Sequence, residues 1–381
     1  TPCGTLFPYT TLFRSLSGFD PVLFGAMLSL SFMGLVTMYS HTGENIFFDR
    51  QLIWIGLASV ALLLAIIPDY RFLRSGNTAF FLFLASVASL VLVLMIGEVT
   101  LGAQSRFDLG LFSLQPSDPA KLVLIVVLAK YFAKRHELIG DFRHILVSGV
   151  YAFLIFGLVF IQPDFGSALI LFLVWLGMVL VAGIKLRHLT TVFVIGAVAF
   201  GAMWQFVFLD YQKERIATFL NPLADVQGAG YNAYQSTVAV GSGHWFGKGI
   251  GYGTQSKLLY LPEYQTDFIF AAYAEEWGLL GVALLFVFFG VVIWRLLAHA
   301  AEAASNFERL FACGVAVLFV SHFFVHIGMN IGLLPVTGTT IPFLSYGGSH
   351  LVTEFVAVGM VMAMRRYQPV RVPQSDTTLP A

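Results

Sequence analysis

Ten apolar runs dominate this chain, at about 21–40, 51–67, 78–97, 119–133, 144–161, 166–183, 189–209, 267–294, 308–331 and 349–364. About 20 mostly apolar residues are needed for a helix to cross the hydrocarbon core, and the fourth and last runs fall short of that. Lipid offers no water to backbone N–H and C=O groups, so runs of this kind fold as helices that satisfy their own backbone. Composition agrees: 58% of residues are hydrophobic and 11% charged, against about 45–50% and about 25% in soluble domains. The expected fold class is all-α. It is a polytopic membrane protein with ten transmembrane helices and a large extracytoplasmic loop, 210–266, between helices 7 and 8. The formal net charge is zero, which points to no nucleic-acid partner. The two cysteines, Cys3 and Cys313, define no disulfide framework.

Thr5–Ser15 resembles the in-frame translation of a sequencing adapter. Residues 1–15 are therefore set aside as an artefact, with the true start expected to be missing. Residues 16–367 read as the membrane domain and 368–381 as a tail.

Charge orients the runs. With the N-terminus in the cytoplasm, inner segments carry Arg71, Arg74, Lys130, Lys134, Arg135, Arg143, Lys185, Arg187, Arg295, Arg309, Arg365, Arg366 and Arg371. Short outer segments carry only Arg50, Arg106 and Lys121, the last at a helix mouth. The positive-inside rule then places both termini in the cytoplasm, with the protein in the cytoplasmic (inner) membrane. Every polar segment punctuated by glycine or proline falls on the outer side: Gly102–Asp118, Gln162–Gly166, Tyr211–Thr266 and Gly332–Ser349. Function is expected at that face.

Within it, Leu261–Gly278 is the most informative stretch. Asp267 opens an apolar helix, and Glu275 and Glu276 follow about 12 Å further along it. Ionisable groups in membrane helices are costly, and usually face a cavity or a partner. Asp267 reads either as an N-cap or as a general base at the membrane surface. Glu275 and Glu276 lie too deep for caps, and suit a cation or a buried base.

Other residues carry two readings each. Ser117 or Asp118 can cap the fourth helix, but Lys121 lies one turn inside it and needs a partner. Asp164 caps the sixth helix, pairs with Lys121 across the bundle, or does both. Lys213 and Arg215 belong to a charged run that is either a solvated helix face or a seat for an anionic head group. Lys248 lies in the glycine-rich segment Gly228–Thr254, read as a folded, half-immersed loop and not a phosphate loop. Leu333–His350 holds two prolines and three glycines beside hydroxyl residues, Ser345 and Tyr346 among them, which suggests non-helical backbone lining a cavity. Glu354 enters the last helix just below. His322 and His326, one turn apart, have metal-ligand spacing, although satisfied contacts within the helix are the commoner fate of such pairs.

Six ordered motifs then coincide: Gln-Pro-Ser-Asp with Lys121; Gln-Pro-Asp at 162–164; Tyr-Gln-Lys-Glu-Arg at 211–215; the glycine-rich segment from Gly228; Leu-Pro-Glu to Glu-Glu at 261–276; and Leu-Leu-Pro-Val-Thr-Gly to Ser-Tyr-Gly-Gly-Ser at 333–349. Together they resemble the SEDS family of shape, elongation, division and sporulation proteins, across essentially 16–367. The wording is closer to the elongation branch, RodA, than to the division branch, FtsW. The chain departs from the family pattern at Gln265, Ser105-Arg106, Thr339-Thr340 and His350.

The resemblance implies a ten-helix peptidoglycan glycosyltransferase that polymerises lipid II, the undecaprenyl-pyrophosphate disaccharide-pentapeptide. Its expected partners are a class B penicillin-binding protein, the elongation machinery and membrane lipids. Asp267 falls on the family's essential acidic residue. A carboxylate there suits removal of the proton from a sugar 4-hydroxyl as it attacks the donor anomeric carbon. Pyrophosphate leaves, and Lys213, Arg215, Lys248 or a divalent cation such as magnesium or manganese would neutralise it. The metal ligands are not identifiable from sequence. A lipid II flippase and a non-catalytic scaffold for the penicillin-binding protein are the rival readings. A flippase calls for polar groups near the midplane and on both faces, and a scaffold leaves Asp267, Glu275 and Glu276 unexplained.

Overall fold

A computed structural model describes residues 18–39, 46–100, 103–108, 113–135, 142–208, 210–221, 230–258 and 260–367. The segments set aside at 1–15 and read as a tail at 368–381 lie outside the described residues. The chain is predominantly helical. Eight helices are long and apolar enough to cross a membrane, which makes this a multi-pass membrane protein. They are α1 (Pro21–Tyr39), α2 (Ile46–Ile66), α4 (Thr78–Ile96), α6 (Phe142–Ile161), α7 (Phe165–Ala182), α8 (Leu186–Phe206), α12 (Ile269–Ala301) and α13 (Asn306–Asn330). The two runs expected to be short are 17-residue helices, α5 (Ser117–Ala133) and α14 (Gly348–Met364). A four-residue turn, α3 (Arg71–Arg74), links α2 to α4.

One segment read as a polar loop is a small sheet. Strands β1 (Glu98–Thr100), β2 (Ala103–Asp108) and β3 (Ser113–Leu114) pair antiparallel in that order, with Glu98 opposite Arg106 and Phe107 opposite Leu114. The long 210–266 connection contains α9 (Asp210–Leu220), α10 (Tyr231–Ser242) and α11 (Thr254–Lys257).

Helices α5, α7, α12, α13 and α14 enclose the core, with α1 on α12 and α2 on α14. The α2–α14 contact is close enough that a Cβ at Gly359 would collide with the Leu62 carbonyl. Small residues at such crossings let helix backbones approach, which drives association where lipid removes the hydrophobic difference. At the end remote from Asp267, Asp20 precedes α1 and accepts from Arg295 Nε at 2.8 Å and from His299 Nε2 at 2.9 Å, tying α1 to α12. Helix α8 has no buried residue in its apolar span, and Val192 packs partly buried against the core.

The expected helix at 267–294 is broken. Gly278 has φ 64° and ψ −167° inside α12, a region essentially reserved for glycine. A break frees backbone groups on both sides, and in a membrane these need new partners. The 243–249 segment supplies them. Lys248 N–H donates to Glu275 C=O at 2.9 Å and Gly249 N–H to Glu276 C=O at 3.0 Å. Beyond the break, Leu279 N–H donates to His244 C=O at 2.9 Å and Leu280 N–H to Trp245 C=O at 3.1 Å. The approach is so close that a Cβ at Gly247 would strike the Glu276 carbonyl.

Glu275 and Glu276 lock this insertion from the helix side. Glu275 is fully buried. Its Oε1 accepts from Lys248 Nζ at 2.7 Å, Thr254 N–H at 2.9 Å and Gln255 N–H at 3.1 Å. Glu276 Oε1 accepts from Gly251 N–H at 3.1 Å. Of the two roles expected for these carboxylates, Glu275 fills the pairing with a base.

Gly278→Ala should lower stability by about 1–3 kcal/mol from backbone strain alone, read as a lower thermal midpoint in detergent. An unchanged midpoint would mean that α12 runs unbroken. Glu275→Gln removes the charge but not the volume, and should cost about 1.5–3 kcal/mol. Limited proteolysis should then cut within 243–258 faster than in the wild type.

Candidate active site

Asp267 lies half-exposed in the turn before α12. It is not the N-cap: Phe268 holds that position, and no side chain caps the helix. The turn is tight, with Thr266 N–H and Phe268 N–H both donating to Glu263 C=O, and Glu263 at φ 51°.

Three contacts from elsewhere in the fold clamp it. Asn330 Nδ2 donates to Asp267 C=O at 3.0 Å. Ser345 Oγ donates to Thr266 C=O at 3.0 Å. Tyr346 N–H donates to Gln265 C=O at 2.9 Å. Successive carbonyls at 265, 266 and 267 are thus held by α13 and by the 332–347 loop. The carboxylate faces that loop: a Cβ at Gly338 would lie 3.5 Å from Asp267 Oδ2. Nearby, burial pushes the Tyr264 phenol above its ordinary range.

Asn330 is fully buried and joins three elements. Besides Asp267, its Nδ2 donates to His326 C=O at 2.8 Å, and its Oδ1 accepts from Ala271 N–H at 3.3 Å and Ser236 Oγ at 3.1 Å.

The 332–347 loop is held as firmly as the turn it clamps. His322 Nδ1 lies 3.0 Å from Thr340 C=O and His326 Nδ1 lies 2.7 Å from Thr339 C=O. A carbonyl only accepts, so each Nδ1 carries the proton. The expected contacts within the helix are thus corrected: both histidines reach carbonyls of the 332–347 loop, outside their own helix. Ser345 Oγ also accepts from Ile341 N–H at 2.9 Å. Glu354 Oε2 accepts from Phe343 N–H at 2.9 Å, supporting a residue at φ 65°. Gln51 Nε2 donates to Ser345 C=O at 3.2 Å.

A buried ionic group lies behind the loop. Lys121 Nζ is 3.1 Å from Asp118 Oδ1, one turn away on α5. The alternative pairing of Lys121 with Asp164 is therefore corrected: spacing i, i+3 puts Asp118 on the same helical face. Asp164 instead caps α7, accepting from Ser167 N–H at 3.0 Å, and accepts from Gln115 Nε2 at 2.9 Å. His350 bridges two carboxylates, with Nδ1 3.4 Å from Asp118 Oδ1 and Nε2 2.9 Å from Glu354 Oε1. The second contact is a close ion pair whose angles do not make a hydrogen bond.

Of the expected site residues, Ser345 and Tyr346 touch the Asp267 turn directly, and Glu354 holds the loop behind it. Lys121 and Asp164 serve the neighbouring helix ends. The Lys248 ammonium is engaged by Glu275 and by Thr254 Oγ1 at 2.8 Å. Lys213 is partly exposed on α9, and the Arg215 side chain lies outside the described residues. Among the described residues no group of three or more His, Cys, Asp or Glu side chains gathers as a metal site.

Asn330, Gln51, Asp118 and His350 were not singled out by sequence as site residues. Asn330 is an amide at the end of an apolar run, and that placement is a signal that could have found it.

Residues 17–369 match the family of cell cycle proteins that comprises FtsW, RodA and SpoVE. The stage V sporulation protein E of Bacillus subtilis is 34% identical over 358 residues, covering 91% of this chain and 97% of that protein. The peptidoglycan glycosyltransferase MrdB of Escherichia coli K12 is 34% identical over 351 residues, covering 92% and 94%. A probable peptidoglycan glycosyltransferase FtsW from Thioalkalivibrio is 36% identical, covering 94% and 92%. Among solved structures, a chain of a peptidoglycan synthase complex that coordinates polymerization and crosslinking superposes with TM-score 0.79 at 29% identity, covering 92% of this chain and 99% of its own length. The rod shape-determining protein RodA of Thermus thermophilus gives 0.69 at 29% identity, covering 92% and 98%. With the helical bundle, the clamped acidic turn and these near full-length matches in agreement, the chain belongs to the SEDS family of FtsW, RodA and SpoVE cell cycle proteins.

Proposed function

We propose that this chain is a peptidoglycan glycosyltransferase that polymerises lipid II, with Asp267 as general base, at the outer face of the cytoplasmic membrane. The observation that carries the reading is a half-exposed carboxylate on a turn clamped by Asn330, Ser345 and Tyr346. A base must hold its position while the acceptor sugar arrives, and clamping the backbone on both sides of it does this. Near full-length similarity to proteins named peptidoglycan glycosyltransferase supports the reaction class.

In the reaction the acceptor 4-hydroxyl oxygen bonds to the donor anomeric carbon, and its proton passes to the Asp267 carboxylate. The bond from that carbon to the pyrophosphate oxygen breaks, and the pyrophosphate departs with the electron pair. Displacement from the opposite face converts an α-linked donor into a β-linked glycan. The leaving group is already a weak base, so no strong general acid is needed. Lys213 and Arg215 on α9 are the proposed counter-charges, with or without a divalent cation.

The proposed topology has both termini in the cytoplasm, supported by the excess of Lys and Arg in the segments on that side. A class B penicillin-binding protein is the proposed partner, supported by the likeness to a chain from a complex that couples polymerization to crosslinking. An elongation role rests on the motif wording, since relatives from the elongation, division and sporulation branches lie at similar identity.

Asp267→Asn should reduce glycan-ladder formation from lipid II by about 10²-fold or more, with an unaltered thermal midpoint and unaltered partner binding. Full polymerisation by this variant would sink the base assignment, and absence of ladders from the wild type with its partner would return the flippase and scaffold readings. Asn330→Ala leaves Asp267 in place but releases its carbonyl. Activity should fall about tenfold to a hundredfold, accompanied by a stability loss of about 1–3 kcal/mol.

A further inference from the structure

At the membrane face opposite Asp267, α4, α5 and α6 part to leave a cavity of about 240 Å³. Helix α5 sets the distance: Asp118 lies at one end, and Lys130 and Tyr131 at the other, about 20 Å away. The cavity floor is cationic, lined by Lys130, Lys134 and Arg135, and its walls are apolar, with Phe80, Phe83 and Tyr151. None of the polymerase groups described above lies here.

The cations are arranged and not merely present. Lys130 Nζ donates to Gly76 C=O at 2.6 Å, which fixes the ammonium in the cavity wall and leaves further N–H bonds to donate. The Arg135 guanidinium sits 4.4 Å above the Tyr131 ring centroid, and the Tyr131 hydroxyl is anchored by His144 Nδ1 at 2.9 Å. Among the described residues no carboxylate forms an ion pair with Lys130, Lys134 or Arg135. The neighbouring segment 136–141, with Glu137 and Asp141, lies outside them. Clustered cations held next to hydrocarbon repel one another, and a bound anion relieves that repulsion.

The apolar half of the site selects the kind of anion. Phe80 is 56% exposed, and Val150 and Leu154 on α6 also face outward, so the cavity opens onto lipid-facing helix surface. A soluble phosphate would use only the cationic floor. A glycerophospholipid uses both parts, its phosphodiester on the cations and its acyl chains along α4 and α6. We propose that this cavity binds the headgroup of an anionic glycerophospholipid in the leaflet remote from Asp267.

The test uses the full chain, purified and delipidated in detergent, and titrated with phosphatidylglycerol or phosphatidylcholine while bound lipid is counted by native mass spectrometry. Phosphatidylglycerol should bind the wild type at least about fivefold more tightly than phosphatidylcholine. Lys130→Gln should lose about fivefold, and Lys130→Gln with Arg135→Gln about 25-fold, from the contribution of each basic residue near the membrane surface. Lys130→Arg should retain binding, and so should Arg309→Gln, which removes an exposed cation from the same membrane face. Equal affinity of the wild type for the two lipids overturns the proposal, as does undiminished phosphatidylglycerol binding by the folded double variant. Displacement of phosphatidylglycerol by millimolar inorganic phosphate overturns it in favour of a soluble anion.

Discussion

The backbone groups released at Gly278 govern the outer half of this molecule. A continuous helix would leave the 243–249 segment nothing to bind. A break without that segment would strand carbonyls at Glu275 and Glu276 and N–H groups at Leu279 and Leu280 in a low-dielectric interior. Helix and loop complete each other, and buried Glu275 joins them a second time through Lys248, Thr254 and Gln255. The glycines at 247 and 278 are there because the two backbones nearly touch.

The same physics separates the three carboxylates of one short segment. Glu275 and Glu276 are buried and accept from the inserted loop, Glu275 from Lys248, Thr254 and Gln255 and Glu276 from Gly251 N–H, so both carboxylates serve structure. Asp267 keeps access to solvent, and it is its backbone carbonyl that Asn330 fixes. A carboxylate with solvent access on a fixed backbone is the combination that suits proton transfer to a substrate arriving from outside. Behind it, His322, His326 and Glu354 hold the 332–347 loop by its backbone, so the face opposite Asp267 is itself rigid.

Much of this was legible in the chain. Apolar runs of membrane length marked the helices because lipid leaves few other solutions for a backbone, and the eight longest appear where expected. Of the segments rich in glycine and proline, the 332–347 loop touches the Asp267 turn, the 243–249 segment docks at the α12 break, and Gln115 meets Asp164 and Ser349. Other features were hidden for definable reasons. The sheet at 98–114 is too short and too polar to show a strand period. The break at Gly278 looks in sequence like one small residue within an apolar run, and only the docked loop makes it stable. The partner of Lys121 stays open in the sequence because an in-helix partner and a cross-bundle partner look equally near until the helix faces are known.

Sequence alone determined the class of the molecule, its chain of membrane helices and the identity of Asp267 as the residue to watch, since these depend on local composition and ordered motifs. Tertiary structure alone decided which polar residues meet. Asn330 reaches Asp267 from 63 positions away, and Gln51 reaches Ser345 from 294. Contacts of that range are set by how helices cross and which faces they turn to one another, and no local pattern in the chain encodes that.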